Sequence, residues 1–129
     1  MSRRSGERDE GSAVVDFVLI GALTTVLFLA VVQLALALHV RSTLVDCAAE
    51  GARYGSLDGH TPSDGAERTR ELIRMSLADS YASDVTAEVV EVDGLEVVRV
   101  EITAPLPVIG LIGPRDAMTV DGHALVEGP

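Results

Sequence analysis

Two residues five positions apart set the problem this chain poses: Gly11, and Asp16 at the threshold of a long apolar run. A small residue followed at that interval by a lone acid is an odd pair to place at a membrane edge, and it points to trafficking. The other reactive side chains do not gather. His39, His60 and His123 are scattered, and none stands in a ligand-spaced pair. Cys47 is the only cysteine, so no internal disulfide can form. It reads as an inert, half-buried thiol, with a bridge between two chains as the alternative outside the cytoplasm. Asp58, Asp64, Asp93 and Asp121 each precede a glycine, which is turn usage rather than a calcium loop. There is no Gly-x-Ser-x-Gly elbow, no phosphate loop and no cysteine pair. The chain is therefore not expected to be an enzyme: no catalytic residue, metal, cofactor or small-molecule substrate is anticipated.

The elements that carry these residues start with the apolar run. Residues 17–38 hold no charged side chain, and roughly twenty apolar residues are what a helix needs to cross a hydrocarbon core about 30 Å thick. Ala35-Leu36-Ala37 has the small residues of a secretory cleavage site. The run is too long for a signal core of about 7–15 residues, however, and Asp16 sits where a positive region should pass straight into that core.

Charge is lopsided around this segment. The formal net charge is −10. Arg3, Arg4 and Arg8 cancel Glu7, Asp9 and Glu10, while sixteen acids face six arginines from Ser42 onward. An acidic domain of that kind is not a nucleic-acid surface, which needs clustered positive charge. The arginines before the span and the acidic region after it favour a cytoplasmic N-terminus and an extracytoplasmic C-terminal domain.

Beyond Arg41 the spacing of Leu44, Val45, Ala48, Ala49 and Ala52 keeps a helical period, with Asp46, Glu50 and Arg53 on the other side. Glu50 and Arg53 are three apart and can pair. The helix is expected to run past the membrane as a stalk and to end near Gly55-Ser56. A second helix is predicted over residues 66–82, capped by Ser63 or Asp64, with Leu72, Ile73, Leu77, Met75 and Tyr81 facing inward. Residues 85–92 and 95–103 flank Asp93-Gly94, a dipeptide favoured in two-residue hairpins because both central positions need φ > 0. Counting back from the turn sets Val92 opposite Leu95 and Glu91 opposite Glu96. The same count puts Val89 with Val98, Ala87 with Val100 and Val85 with Ile102 on one face, and Glu88 with Arg99 on the other. Pro105 ends this strand. Residues 106–114 are apolar but broken by Gly and Pro, and residues 118–126 offer a third strand interrupted at Asp121-Gly122. The fold class expected is α+β: a long N-terminal transmembrane helix continuing into a stalk, and a second helix packed on a small antiparallel three-stranded β-meander.

Gly11-Ser12-Ala13-Val14-Val15-Asp16-Phe17, the apolar span, and then Ala48-Ala49-Glu50-Gly51-Ala52-Arg53-Tyr54 together resemble the TadE-like family of pilin-like proteins. That resemblance implies three regions: a cytoplasmic leader over residues 1–11, a transmembrane helix over 12–41, and an extracytoplasmic α+β domain over 42–129. It implies a minor pilin or pseudopilin that helps to assemble a tight-adherence (Flp-type) pilus or a related secretion apparatus. Its partners would be the lipid bilayer, a prepilin peptidase and other pilin-like subunits. By the same resemblance, Gly11 and Ser12 form the processing site and Asp16 and Phe17 serve subunit association, the Asp16 carboxylate meeting the N-terminal ammonium of a neighbour. Ala49, Glu50, Gly51, Ala52, Arg53 and Tyr54 are the family motif. Asp16 stands where the family mostly has Glu, and Gly21-Ala22 where it often has a proline. The alternative from the residues alone is an uncleaved single-pass anchor whose outer domain binds an envelope partner or ligand.

Overall fold

The computed structural model describes residues 3–106 and 117–127. In order these form helix α1 (Arg3–Ser56), helix α2 (Pro62–Ser76), a short 3₁₀ turn (Asp79–Ala82), and strands β1 (Val85–Val92), β2 (Leu95–Pro105) and β3 (Ala117–Leu125). The architecture is α+β, as expected. The chain divides into two units, Met1–Ala35 and Leu36–Pro129.

The described part of the first unit is helix throughout. α1 already includes residues 3–11, ahead of the apolar run. Arg and Glu are good helix formers, and a glycine costs only about 1 kcal/mol against alanine, so Gly6 and Gly11 do not stop a helix that continues on both sides. The apolar side chains point outward: Phe17 is 78% and Leu23 70% exposed. The Thr25 hydroxyl donates to the Gly21 carbonyl at 2.8 Å, which satisfies a polar group inside the run without a second helix.

In the second unit, the remainder of α1 supplies one apolar face. Val40, Leu44, Cys47, Ala48 and Ala52 are buried, at intervals of three or four residues or adjacent on the same stripe. The helix ends at Ser56, where Gly55-Ser56 had suggested.

α2 differs from expectation at both ends. Thr61 is its N-cap: the Asp64 amide donates to the Thr61 hydroxyl at 3.2 Å, and the Thr61 amide donates to the Asp64 carboxylate at 2.8 Å. With Pro62 in the first turn, this capping box starts the helix four residues before residue 66; Thr61 and not Ser63 or Asp64 is the N-cap residue, and Asp64 serves as the acid of the box. At the other end Leu77 turns extended (φ −139°), its N–H still held by the Ile73 carbonyl at 2.7 Å. Residues 79–82 form the 3₁₀ turn instead of prolonging α2. Ile73 is fully buried, and Leu72, Leu77 and Tyr81 are half-buried against the core. Met75 is 75% exposed and does not face inward: two residues past Ile73, it lies roughly 200° around the helix.

The sheet is antiparallel in the order β1-β2-β3. Every β1–β2 pair falls in the register counted from the turn, including Glu91 with Glu96 and Glu88 with Arg99. Asp93 (φ 53°) and Gly94 (φ 79°) both take the positive φ that a two-residue turn requires. β3 runs unbroken through Asp121-Gly122, against the expected interruption. A Cβ at Gly122 would strike the backbone of Ala48 and Ala49, so this glycine marks a close approach of strand to helix. The apolar segment read as a loop over residues 106–114 lies outside the described residues after Leu106.

The core sits between α1, α2 and the inner sheet face. Leu44, Ile73, Val98, Val100 and Ile102 are its largest fully buried apolar side chains. Thr69 is buried with them, and its hydroxyl is satisfied by the Gly65 carbonyl at 2.8 Å. Arg70 ties α2 to the sheet by donating to the Val85 carbonyl at 2.9 Å.

Candidate functional site

Gly11, Ser12, Asp16 and Phe17 all lie on α1 and are exposed. Beyond its own stretch of helix backbone, no atom lies within 4 Å of where a Gly11 Cβ would stand, and the bond that follows it lies inside the helix. α1 contains a window of mean hydropathy 2.5, none of it buried, and is long and apolar enough to cross a membrane. Asp16 immediately precedes the uncharged residues 17–38, where a carboxylate in lipid would be expensive to leave without a counter-charge.

The second group of candidate residues plays a different part. Ala52 and Gly51 are buried, Ala49 is half-buried, and Glu50 and Arg53 face solvent. A Cβ on Gly51 would run into the Thr69 side chain and the Gly65 carbonyl of α2. Gly55 and Gly65 face each other the same way, each with the other's Cα just over 3 Å from where its Cβ would be. Glycines on both helices therefore let α1 and α2 touch backbone to backbone, and Ala52 fills the space beside them. Glu50 and Arg53 approach to 3.8 Å, but both are largely in water, where such a pair contributes about 0–1 kcal/mol. The Tyr54 ring packs on His60, with centroids 4.3 Å apart and planes inclined at 51°. Tyr54 also lines a shallow cleft of about 200 Å³ with Asp64, Glu67, Arg68 and Glu71. Those acids already have partners: Arg68 donates to Glu71 at 3.3 Å, and Arg70 to Glu67 at 3.1 Å.

Hydrogen bonds from Thr61, its backbone amide first, hold the Asp64 carboxyl below the usual carboxylate range. Burial, helped by neighbouring Asp46, pushes the Cys47 thiol up, so it is a poor nucleophile. Among the described residues, no group of three or more His, Cys, Asp and Glu is placed to hold a metal ion.

One arrangement escaped the sequence reading. On the outer sheet face, Arg99 turns away from its cross-strand partner Glu88: it donates to Glu101 at 2.9 Å and lies 3.8 Å from Asp121. Asp121 in turn sits 3.3 Å from His123. Only the third strand, paired beside β2, brings these residues together, and a register counted from the first hairpin could not include it.

The fold and its exposed helix define a class: an α+β unit together with a helix long and apolar enough to span a bilayer. The comparison with known families adds the particular. Residues 11–53 match the model of the TadE family, described as TadE-like protein, in agreement with the resemblance read from the sequence. The matched segment opens on Gly11, takes in the apolar run and closes on Arg53, two residues past the Gly51 that touches α2. No curated protein and no solved structure gave a match.

Proposed function

We propose that this chain is a TadE-like minor pilin or pseudopilin, a non-enzymatic membrane component for assembling a tight-adherence (Flp-type) pilus or a related secretion apparatus. One observation carries the reading: the match to the family begins at Gly11, within α1 and a few residues ahead of its apolar stretch, whose side chains have no cover of their own. A helix of that kind is at home in lipid, with residues 1–11 in the cytoplasm and residues 42–129 outside. Gly11–Ser12 is the bond a prepilin peptidase cuts. Because α1 is helical there, the enzyme must open the first turns to reach it, and glycine lowers that cost as well as clearing the bond. Once cut, Ser12 bears the new ammonium and Asp16 is the fifth residue. The Asp16 carboxylate then meets the ammonium of a neighbouring subunit and sets the register of helix against helix.

The experiment is intact mass of the protein recovered from its own membranes, with and without the prepilin peptidase. A species starting at Ser12 that disappears when the peptidase is removed is the expected result. Retention of residues 1–11 in both would mean an uncleaved anchor whose outer domain binds an envelope partner.

A further inference from the structure

The two edges of the sheet are not alike. Just past β3, the Val126 amide donates to the Glu96 carbonyl of β2, so the residues of the same parity, Met118, Val120, Gly122 and Ala124, turn their backbone groups toward β2. Thr119, Asp121, His123 and Leu125 turn theirs outward, and all four are exposed. None of these outward N–H and C=O groups has a partner. The strand carries none of the usual guards against pairing. It matches β2 residue for residue from Ala117 to Leu125 without a bulge, and it holds no proline and no lysine. On the opposite edge, Arg70 of α2 already holds the outward carbonyl of Val85.

A row of free donors and acceptors repeating about every 7 Å is matched by one kind of group, the backbone of another extended strand. The β3 of a second copy does not supply it. β3 runs the same way as the end of α1: Gly122 lies on Ala48 and Ala49, and the Glu127 amide, five residues on, donates to the Ser56 carbonyl. Two identical edges pair antiparallel about a two-fold axis, which would turn one α1 end for end. Chains anchored in one membrane through residues 17–38 all run the same way. Charge narrows the occupant further. On the outer face beside this edge, Glu101 and Asp121 share the single guanidinium of Arg99, with His123 beside Asp121. A cation on the added strand would offset the excess of acid.

We infer that the β3 edge receives an extended segment of another protein of the assembly, which joins the sheet as a fourth strand. Its backbone pairs with Thr119, Asp121, His123 and Leu125; its side chains place Lys or Arg beside Asp121 and an apolar residue beside Leu125. The inference rests on the reading of residues 17–38 as a membrane span, and it holds whether or not Gly11 is cleaved.

The test compares amide exchange of the full chain in its native membranes with that of the chain purified in detergent. The amides of Thr119, Asp121, His123 and Leu125 should exchange at least about tenfold more slowly in the membranes. Those of Val120, Gly122 and Ala124, already bonded to β2, should be protected in both. A photo-reactive phenylalanine at Thr119 should give an adduct with another protein, through a segment that mass spectrometry shows to carry Lys or Arg among apolar residues. His123→Pro removes one outward donor and leaves the β2 ladder alone, so it should lower that yield about fivefold, the order of one hydrogen bond, while His123→Ala lowers it less than about twofold. Equal exchange in the two settings, no adduct, adducts only with a second copy or with lipid, or equal yields from the proline and alanine variants would overturn the inference. The exchange comparison needs no variant, so it decides even where proline unfolds the strand. Recovery of the chain from the soluble fraction would remove the span itself, and intact mass on the same membranes reports Gly11 processing, so failure here and failure of the pilin reading are told apart.

Discussion

At the scale of single residues, the same dipeptide does two unlike things. Asp58-Gly59 and Asp93-Gly94 are turns, with Gly59 at φ 82° and Gly94 at φ 79°. Asp64-Gly65 and Asp121-Gly122 lie within a helix and a strand, and their glycines are there because another backbone presses against them. Local composition cannot separate these cases, since the obstacle to a side chain at Gly65 or Gly122 comes from a segment distant in sequence. Asp64 is likewise a helix-capping group rather than a turn residue. Its folded carboxyl is held below its unfolded value, so the stabilisation it gives α2 is fully present above the ordinary carboxylate range and is lost as pH falls through the depressed value. Amide exchange in the first turn of α2, read as protection factors on the full chain in micelles, should therefore drop on acidification from about pH 6 to about pH 2. In Asp64→Asn the same amides should be less protected at the upper pH and change little on acidification. Equal behaviour of the two proteins would remove the capping box from the account.

At the scale of elements, what could be read from sequence was what depends on near neighbours. The β1–β2 register followed from one dipeptide and period-two alternation, because a hairpin is closed by its own turn. The apolar stripe of α1 after Arg41 followed from helical period, and its end at Ser56 from the Gly55-Ser56 pair. The start of α2 was misplaced because the capping box Thr61-x-x-Asp64 was passed over in favour of the serine and acid inside it, although its signal is present in the sequence. The contact between α1 and α2 was not legible: Gly51 stood out only as part of the family motif and Gly55 only as a helix end, and the facing Gly65 and Thr69 show what they permit. This gives a prediction with a magnitude. Gly51→Val would drive its side chain into Thr69 and the Gly65 carbonyl, an overpacking that typically costs about 1–3 kcal/mol, and more where backbone must move. Gly51→Ala should cost less, in the same direction. Denaturant midpoints of the full chain in detergent should rank wild type above alanine above valine. A valine variant as stable as the wild type would mean that the two helices are not held this closely.

For the whole molecule, the division into Met1–Ala35 and Leu36–Pro129 assigns two tasks to two kinds of surface. The second unit has its own core and keeps its shape by burying Leu44, Ile73 and Ile102. Among its described residues the first buries none and exposes an apolar helix long enough to cross a membrane, so its energetics belong to whatever surrounds it. Between helices in lipid there is little hydrophobic drive to associate, so packing and interhelical polar contacts carry the association. Asp16 is the carboxylate placed to supply one, at the start of the apolar run and five residues past Gly11. In the pilin reading its value lies in pairing with a neighbour's ammonium at Ser12, and that pairing exists only after cleavage. Asp16→Ala should thus leave membrane insertion and the core of residues 36–129 intact while reducing co-isolation with other pilin-like subunits about tenfold or more, since a hydrogen bond to a charged group contributes about 1.5–3 kcal/mol. Asp16→Glu, one methylene longer, should keep most of the association. If Asp16→Ala assembles as well as wild type, the carboxylate marks a membrane boundary and nothing more. If alanine and glutamate fail alike, the position is governed by packing rather than charge.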